Sequence, residues 1–244
     1  MDHSVTAYFL SCKRYDLFEK TFDSFWANCK DLDLIKSMVI VDDNSSSEDR
    51  QKIEKLASKV NIPSLIVLKN MFKGQANTLN IVYDLCKTKY AFAVEDDWMF
   101  FRSGNFLRHG FEVLNKHKNV KRVCVDLSSS GKDLNNIQKE DIYECEDGIK
   151  YFLDEYRDKN QWPSFTFRQS LIDIEDCRAN IGYVNSVPQL SHDNSPPTAE
   201  TDYAVRYCNF GYRTAFLIDS FVTEISNGGP SSFSLNNVNR HKEI

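Results

Sequence analysis

The sequence has no run of 18 or more consecutive apolar residues, although 41% of its 244 residues are hydrophobic. A helix that spans a membrane needs about that length, so no transmembrane segment is predicted. The first residues, Met-Asp-His-Ser, have no positively charged region ahead of an apolar run, and no secretory signal is expected. We therefore predict a cytoplasmic protein, or one that lies peripherally on a membrane.

The sequence also has no Cys-x-x-Cys pair, and its seven cysteines are an odd number. Zinc clusters and disulfide frameworks normally show paired spacings, so neither is predicted. The cysteines are typical of ordinary thiols in a reducing compartment. Nine glycines and six prolines are too few for a fibrous or disordered chain of this length, and 244 residues are enough to bury a sizeable core.

An excess of basic residues is absent as well. The chain has 30 Lys and Arg against 35 Asp and Glu, which gives a formal net charge of −5, and it has no basic tail. Binding to nucleic acid is dominated by cationic contacts with phosphates, so a nucleic-acid partner is not expected.

Short apolar runs alternate with helical patterns through the first half of the chain. Strands of alternating or β-branched residues are followed by stretches with apolar residues at helical spacing, which is typical of βαβ units. The predicted fold class is therefore α/β, with a mostly parallel, twisted central sheet flanked by helices. The strands are predicted over 5–10, 38–41, 65–68, 90–94 and 120–125. The helices are predicted over 47–59, 75–87 and about 104–117, and a first helix carries the stripe Leu17, Phe18, Phe22, Phe25 and Trp26.

The second half is less regular. Residues 128–146 are polar and predict a surface loop, and 161–165 predict an aromatic turn. A helix is predicted from about Ala199 to Gly211, because glycine commonly follows a helix end. A late strand is expected over 213–218 and a polar tail over 226–244. No repeats or clear linkers are visible, so 1–244 is interpreted as a single domain.

Three carboxylates, Glu95, Asp96 and Asp97, follow the fourth predicted strand directly. Crowded anions repel one another unless a cation or hydrogen-bond donors offset the repulsion. A hard divalent cation such as Mg²⁺ or Mn²⁺ suits oxygen ligands and is often shared with substrate phosphates. The alternative is a solvated exit from the strand, although ligands of parallel sheets do bind beyond this end of the strands.

The second predicted strand ends in a similar way, at Asp42-Asp43-Asn44-Ser45. Asn and Ser also favour an Asx turn or a helix cap, which is the alternative interpretation.

Lys73 and Gly74 precede a helix whose N–H groups suit an anion. Neither GxGxxG nor GxxxxGK[ST] occurs, so neither a dinucleotide fold nor a P-loop is indicated.

Two further carboxylates, Glu200 and Asp202, lie in the first turn of the predicted helix that contains Arg206. Negative charge there is favourable at the positive end of the helix dipole, and that is the alternative to a catalytic role. No Ser/His/Asp or Cys/His arrangement is visible from spacing, and the five histidines are scattered.

Taken in order, these segments resemble the motifs of family 2 glycosyltransferases of the GT-A fold. Residues 5–14 match the first strand and its Asn-Arg-like turn, and 42–45 match the Asp-Asp-Gly/Asn-Ser motif. Residues 73–80 match the basic, Gly-containing stretch that carries an Asn, 95–97 match the DxD-type motif, and 200–213 match the Glu-Asp-x-Asp helix with its Arg and Gly-Tyr-Arg. The resemblance covers about 4–100 well and 160–220 loosely.

The resemblance implies inverting transfer of a sugar from a nucleotide-diphosphate donor to a glycan or other hydroxyl acceptor, assisted by Mn²⁺ or Mg²⁺. It also implies a nucleotide-sugar-binding half over about 1–126 and an acceptor-binding half over about 127–244. The implied donor-binding residues are Ser11, Arg14, Asp42, Asp43, Lys73, Asn80, Glu95 and Asp96, the metal ligands are Asp97 and Asp96, and the catalytic helix supplies Glu200 and Asp202.

The family's spacing chooses between the two carboxylates of that helix. Its base is the first Asp of Glu-Asp-x-Asp, six residues before the Arg, and counting back from Arg206 gives Glu200. Asp202 matches the second, structural acid. A positioned carboxylate takes the proton of the attacking hydroxyl in such a reaction.

The sequence departs from the family in one respect that affects the metal. The family often has a His in a segment near the C-terminal end, whereas the nearest counterpart here, Ile225-Ser226-Asn227-Gly228-Gly229, has none. His192 and His241 are the candidate substitutes, and metal-independent transfer stays open. The absence of Gln-x-x-Arg-Trp argues against a processive polysaccharide synthase.

Two other functions remain as alternatives. A sugar-nucleotide pyrophosphorylase has a related sheet but usually a Gly-rich loop after the first strand, where this chain has Ser11-Cys12-Lys13-Arg14. A non-catalytic module that binds a nucleotide sugar is the second. Trp162, Phe165 and Phe167 suit either stacking on a sugar or packing in the core, and packing is the favoured interpretation.

Overall fold

The structure is a computed structural model of the chain and describes residues 2–62, 65–69, 74–132, 135, 137–154, 165–191 and 196–228. Four residues of interest from the sequence, Lys73, Trp162, His192 and His241, lie outside the described residues.

The first half alternates strands and helices, as the sequence predicts. The predicted α/β fold class is confirmed, and the predicted elements differ from the observed ones mainly by a few residues at their ends. The elements are β1 (Val5–Ser11), α1 (Tyr15–Asn28), β2 (Ile35–Asp42), α2 (Ser47–Ala57), β3 (Leu65–Lys69), α3 (Gln75–Leu85), β4 (Tyr90–Glu95), β5 (Trp98–Phe100), α4 (Phe106–Lys116) and β6 (Val120–Cys124).

The second half contains more regular structure than its sequence pattern indicates. A strand lies within the predicted surface loop over 128–146, and a strand and a helix precede the predicted helix at 199. The elements are β7 (Ile142–Glu144), β8 (Lys150–Leu153), β9 (Ser170–Asp173), α5 (Ile174–Asn180), α6 (Ala199–Asn209), β10 (Arg213–Leu217) and β11 (Val222–Glu224).

In the described part of the chain, one nine-stranded sheet joins the two halves, in the order β3-β2-β1-β4-β9-β6-β10-β8-β7. The strands β3, β2, β1 and β4 are parallel, as are β6 and β10. The strand β9 is antiparallel to both of its neighbours, and β8 and β7 are antiparallel too. The sheet is therefore mixed, and its continuous parallel part is the half that the sequence pattern predicts.

The two faces of the sheet bury different helices, because successive side chains of a strand point to opposite faces. Phe9 of β1 lies in the cluster with the apolar stripes of α1, α2 and α4, and Tyr8 lies in the cluster with those of α3, α5 and α6. The stripe of α1 is Phe18, Phe22 and Phe25, at helical spacing, and all three side chains are buried.

Helix ends follow local sequence signals. The Ser46 hydroxyl caps α2 by accepting a hydrogen bond from Asp49 N at 3.0 Å. Thr198 and Thr201 form a reciprocal capping box at the start of α6. Gly211 follows α6 with a φ of +92°, a conformation that glycine adopts without strain, so the predicted end of this helix is confirmed.

The strand order reverses between β1 and β4, because the chain moves outward from β1 to β3 and then returns to the other side of β1. In open α/β sheets, a crevice forms at such a point, outside the carboxyl ends of the strands. Among the described residues, no helix combines the length and apolar character needed to cross a membrane.

Candidate functional site

The carboxyl ends of three parallel strands meet at the reversal point. Ser11 at the end of β1 pairs with Asp42 at the end of β2, and its neighbour Leu10 pairs with Glu95 at the end of β4. The register therefore places both acidic segments of the sequence beside the turn that follows β1. This juxtaposition confirms that the two segments share one edge of the sheet.

Arg14 connects the turn after β1 to the acidic segment after β4. Its guanidinium forms an ion pair with Asp96 through Nη2, a second contact with that carboxylate from Nε at 3.3 Å, and an ion pair with Asp97 from Nη1 at 3.0 Å. The Arg14 side chain is only 14% exposed. A bidentate contact of this kind fixes the guanidinium in one orientation.

Asp96 is the buried member of the acidic segment, at 3% exposure. It also accepts a hydrogen bond from Cys12 N at 3.0 Å. Burial raises the pKa of Asp96 to about 7, although the Arg14 guanidinium acts in the opposite direction. Asp96 therefore holds the turn after β1 and the Arg14 side chain in place.

Asp97 is the more accessible carboxylate, at 18% exposure. Its Oδ2 accepts from Arg14, and among the described residues no donor reaches Oδ1. Its backbone oxygen accepts from Ile225 N at 2.8 Å, so the segment after β11 lies beside it. The resemblance noted in the sequence points to a His in that segment, and its described part is Ile225-Ser226-Asn227-Gly228.

Asp42 and Asp43 are both buried and shape the neighbouring loops. Asp42 Oδ2 accepts from Ser45 N at 3.1 Å, which is the Asx-turn geometry that the sequence offered as an alternative. Asp43 Oδ2 accepts from Gly74 N at 3.1 Å, where Gly74 has a φ of +111° at the start of α3. Asp42 thus closes the turn after β2, and Asp43 connects the end of β2 to the start of α3.

Glu95 and Glu200 come together from distant parts of the chain. Glu95 Oε1 is 3.4 Å from Gln75 Nε2, and Glu200 is near enough to act on it electrostatically. Burial, with the nearby negative charges of Asp97 and Glu200, raises the pKa of Glu95 to about 8. Glu200 Oε1 accepts from Phe167 N at 3.0 Å, which anchors the first turn of α6 to the segment that precedes β9.

Asp202 has a different environment from Glu200. Its carboxylate is fully buried and accepts from four groups: Asn185 Nδ2 at 2.7 Å, Gln189 N at 3.0 Å, Leu190 N at 3.1 Å and Arg206 Nε at 2.9 Å. A carboxylate with both oxygens engaged in this way holds the loop before α6 and is poorly placed to receive a further proton.

The remaining candidates from the sequence are placed as follows. The Ser11 hydroxyl is buried at the strand edge and has no partner among the described residues. The Asn80 amide is engaged with Val184, donating to its oxygen and accepting from its nitrogen, both at 2.9 Å, and makes no described contact with the strand-end carboxylates. Phe165 and Phe167 are buried against Tyr203, so their predicted core packing is confirmed.

Sequence reasoning missed Arg168 and Gln75, which lie beside Glu95. Gln75 lies within the 73–80 stretch, from which Lys73 and Asn80 were the predicted residues, and no local motif marks Arg168. The one available signal for Arg168 is the antiparallel register of β9, which the sequence pattern did not indicate. Among the described residues, no group of three or more His, Cys, Asp or Glu side chains is arranged to hold a metal ion by itself.

Replacing Glu95 by glutamine is expected to stabilise the fold at high pH and not at low pH. The pKa rises from 4.5 to about 8 on folding, so the stability that the protonated group contributes is present below 4.5 and is lost as the pH rises through this window. We expect a free energy of unfolding about 1–3 kcal/mol above the parent at pH 9 and within about 0.5 kcal/mol at pH 5. Urea unfolding measures the free energy at each pH. The control is Glu54→Gln, which changes an exposed glutamate and should match the parent at both pH values. An equal effect of Glu95→Gln at the two pH values would contradict the raised pKa.

Comparison with protein-family models gives no match, and comparison with curated proteins gives none either. Solved structures do share the fold. The mannosyltransferase PcManGT from Pyrobaculum calidifontis, in complex with GDP-Man and Mn²⁺, aligns with a TM-score of 0.64 at 16% identity over 92% of this chain and 57% of its own. GalNAc-T7 with UDP, GalNAc and Mn²⁺ aligns with a TM-score of 0.61 at 12% identity over 94% of this chain and 46% of its own.

A third similar structure is S. aureus TarS 1-349 in complex with UDP-GlcNAc, with a TM-score of 0.58 and 13% identity over 93% of this chain and 62% of its own. The chain therefore spans about half to three fifths of the length of these proteins. At such low identities the likeness establishes the fold, which is that of GT-A-type glycosyltransferases.

Proposed function

We propose that the chain is an inverting glycosyltransferase that moves a sugar from a nucleotide-diphosphate donor to an acceptor hydroxyl. The observation that supports this most is the meeting of Asp97, Glu95 and Glu200 at the reversal point of the sheet. A glycosyltransferase site needs a place for the diphosphate of the sugar nucleotide, which we assign to the side of Asp97. It also needs a carboxylate base near the acceptor, which we assign to Glu200. The shared fold supports the same proposal, since PcManGT and TarS are in complex with GDP-Man and UDP-GlcNAc.

In this proposal the donor lies across the ends of β1, β2 and β4. Asp42 and Asp43 border the space for the nucleoside, and Ser11 contributes a hydroxyl at the same edge. Arg14, held by Asp96, directs positive charge toward the diphosphate. Residues of about 1–126 would then form the donor half and about 127–244 the acceptor half.

A divalent cation fits the protein side chains at this site only if the sugar nucleotide supplies most of the metal ligands. Asp97 offers Oδ1, which no described group contacts, but no described set of three side chains completes a site. Mg²⁺ and Mn²⁺ sites of this kind use one or two carboxylates together with substrate phosphates and water. Asp97 would hold the cation, with Asp96 behind it, and the cation would stabilise negative charge on the departing diphosphate.

The proposed general base is Glu200. Its Oε1 is fixed by Phe167 N, and among the described residues no donor reaches Oε2. The acceptor hydroxyl attacks the anomeric carbon from the face opposite the diphosphate, its proton passes to Glu200, and the bond between sugar and diphosphate breaks. Asp202, with its four donors, keeps α6 and the preceding loop in position for this step.

The geometry of the turn after β1 favours transfer over the pyrophosphorylase alternative. A phosphate-binding loop needs backbone N–H groups that point to the ligand. Here Cys12 N donates to Asp96 and Lys13 N donates to Ser45 Oγ at 2.7 Å. Because both N–H groups donate to side chains of the protein, they are not available to a phosphate. Contacts with the diphosphate would therefore come from charged side chains, as in the proposed transfer.

Sugar nucleotides are expected to raise the melting temperature, and part of that rise should depend on Mn²⁺. A ligand at 100 times its Kd adds about 2.7 kcal/mol, which is several degrees for a chain of this size. Thermal shift with UDP-, GDP- and dTDP-sugars, in MnCl₂ or EDTA, measures the effect. Asp97→Asn should remove the increment that depends on Mn²⁺.

The matched control for that variant is Asp219→Asn, whose carboxylate pairs with Arg102 and contacts none of the site residues described above. It should behave like the parent with every nucleotide sugar. No stabilisation of the parent by any nucleotide sugar would contradict the proposed function. An unchanged Mn²⁺ increment in Asp97→Asn would contradict the metal role of Asp97 alone.

A further inference from the structure

Among the described residues, no acceptor contacts the guanidinium of Arg168. It lies over the ring of Trp98, with Cζ 5.3 Å from the ring centroid. The hydrogen bonds of this residue all use its backbone: its nitrogen donates to Thr166 Oγ1, and its oxygen accepts from Arg122 and Ser170. Among the described residues its side chain makes no hydrogen bond and no ion pair.

The strand register brings Arg168 to the site. In the antiparallel pairing of β9 with β4, Ser170 is opposite Ala93. Arg168 lies two residues before Ser170 and Glu95 two residues after Ala93, so both project from the same edge of the sheet. The charge of Arg168 acts on Glu95, and Glu200 accepts from the nitrogen of Phe167, the residue next to Arg168.

The other described arginines near this edge, Arg14 and Arg50, are already engaged. Arg14 is held by Asp96 and Asp97, and Arg50 donates from Nη1 to the Ser45 oxygen at 2.6 Å. An incoming diphosphate brings negative charge to an edge that already carries several carboxylates. Arg14 contributes charge there, and a cation whose donors are not taken up by the described residues can also donate hydrogen bonds to the phosphate oxygens directly.

From this geometry we infer that Arg168 binds the diphosphate of the sugar nucleotide. A guanidinium that lies over an aromatic ring keeps its N–H groups available to donate hydrogen bonds to phosphate oxygens. Trp98 limits the motion of the side chain, so less conformational freedom is lost on binding. This inference rests on the proposed function and adds a donor-binding residue outside every motif of the sequence.

The test compares ligands with and without phosphate. UDP, GDP and dTDP, and the corresponding nucleosides, are titrated calorimetrically into the full chain and into Arg168→Gln. Loss of this charged contact is expected to weaken binding of the diphosphate 10- to 100-fold, which corresponds to about 1.4–2.8 kcal/mol at about 1.4 kcal/mol per tenfold change. The nucleoside should bind equally to both proteins, and inorganic pyrophosphate should compete with UDP or GDP less well in the variant.

Two further variants separate charge from packing. Arg102→Gln is the matched control, because Arg102 also lies over an aromatic ring, with Cζ 5.2 Å from the Phe221 centroid, but pairs with Asp219. It should bind every ligand like the parent. Arg168→Lys keeps a single point charge and should fall between the parent and Arg168→Gln for the diphosphates.

The outcomes separate this inference from the proposed function. Equal loss of nucleoside and diphosphate affinity in Arg168→Gln would overturn the inference in favour of a packing role. Unchanged diphosphate affinity would also overturn it, and a raised KM for an anionic acceptor in the same variant would assign Arg168 to that acceptor. A parent that binds none of UDP, GDP and dTDP would contradict the proposed function together with the inference.

Discussion

Glu200→Gln is expected to lower kcat by about 10²–10⁴-fold, which is the usual contribution of general base catalysis. Glutamine keeps an oxygen that can accept from Phe167 N, so the first turn of α6 should stay in place. The variant loses only the ability to take the proton of the acceptor hydroxyl. Steady-state kinetics should show the loss in kcat, and the affinities for nucleotide and Mn²⁺ should match those of the parent.

The matched control is Glu175→Gln, which changes an exposed glutamate in the first turn of α5 and should leave kcat unchanged. Asp202→Asn makes a second comparison. It replaces an oxygen that accepts hydrogen bonds by a donor facing other donors, so we expect a loss of stability before a loss of turnover. If Asp202→Asn retains its stability and loses turnover while Glu200→Gln is active, the base is Asp202.

Arg14→Met is expected to reduce the free energy of unfolding by about 3 kcal/mol at pH 8, because it leaves the buried Asp96 and the neighbouring Asp97 without their cation. The loss should be smaller at pH 6. The pKa of Asp96 is about 7 even with Arg14 present, so its carboxyl is largely protonated at that pH and depends less on the cation. Urea unfolding at the two pH values measures the difference.

Lys52→Met is the control for that variant, because Lys52 pairs with Glu48 and Asp49 at the surface. Its urea midpoint should equal that of the parent at both pH values, as exposed ion pairs contribute little. A loss in Arg14→Met that is the same at pH 6 and pH 8 would contradict the interpretation that Asp96 carries the effect.

The part of the fold that could be predicted is the part specified by local sequence. The strands β1, β2, β4 and β6 contain apolar or β-branched runs, and the helices between them have apolar residues at helical spacing, so the parallel half followed from periodicity. The strands β8 and β9 have four residues each, and β5, β7 and β11 have three. Their pairing is set by contacts between residues distant in sequence, which a short run does not encode.

The candidate site divides in the same way. Asp42 and Asp97 were predictable because each follows a predictable strand, and the ends of parallel strands share an edge. Glu200 was found by spacing, but its position beside Glu95 depends on α6 packing against the segment before β9. Arg168 depends on the register of β9 with β4, and nothing in the sequence around it marks that register.

Asn80 illustrates the opposite case. Its place in a motif predicted a role in donor binding, whereas its amide forms two hydrogen bonds with the Val184 backbone. A motif gives the residue type and the spacing but not the neighbours that a side chain meets after folding. The loop at 181–191 is irregular, and its approach to α3 could not be read from periodicity.

The most direct test of the proposed transfer is turnover of the donor. The full chain is incubated with UDP-, GDP- and dTDP-sugars in the presence of Mn²⁺, with and without glycan acceptors, and the released nucleoside diphosphate is measured. We predict release from sugars of one nucleotide class, faster with an accepted glycan and slower by about 10²-fold or more in Glu200→Gln. Binding of nucleotide sugars without release from any of them would contradict the account and leave a non-catalytic module.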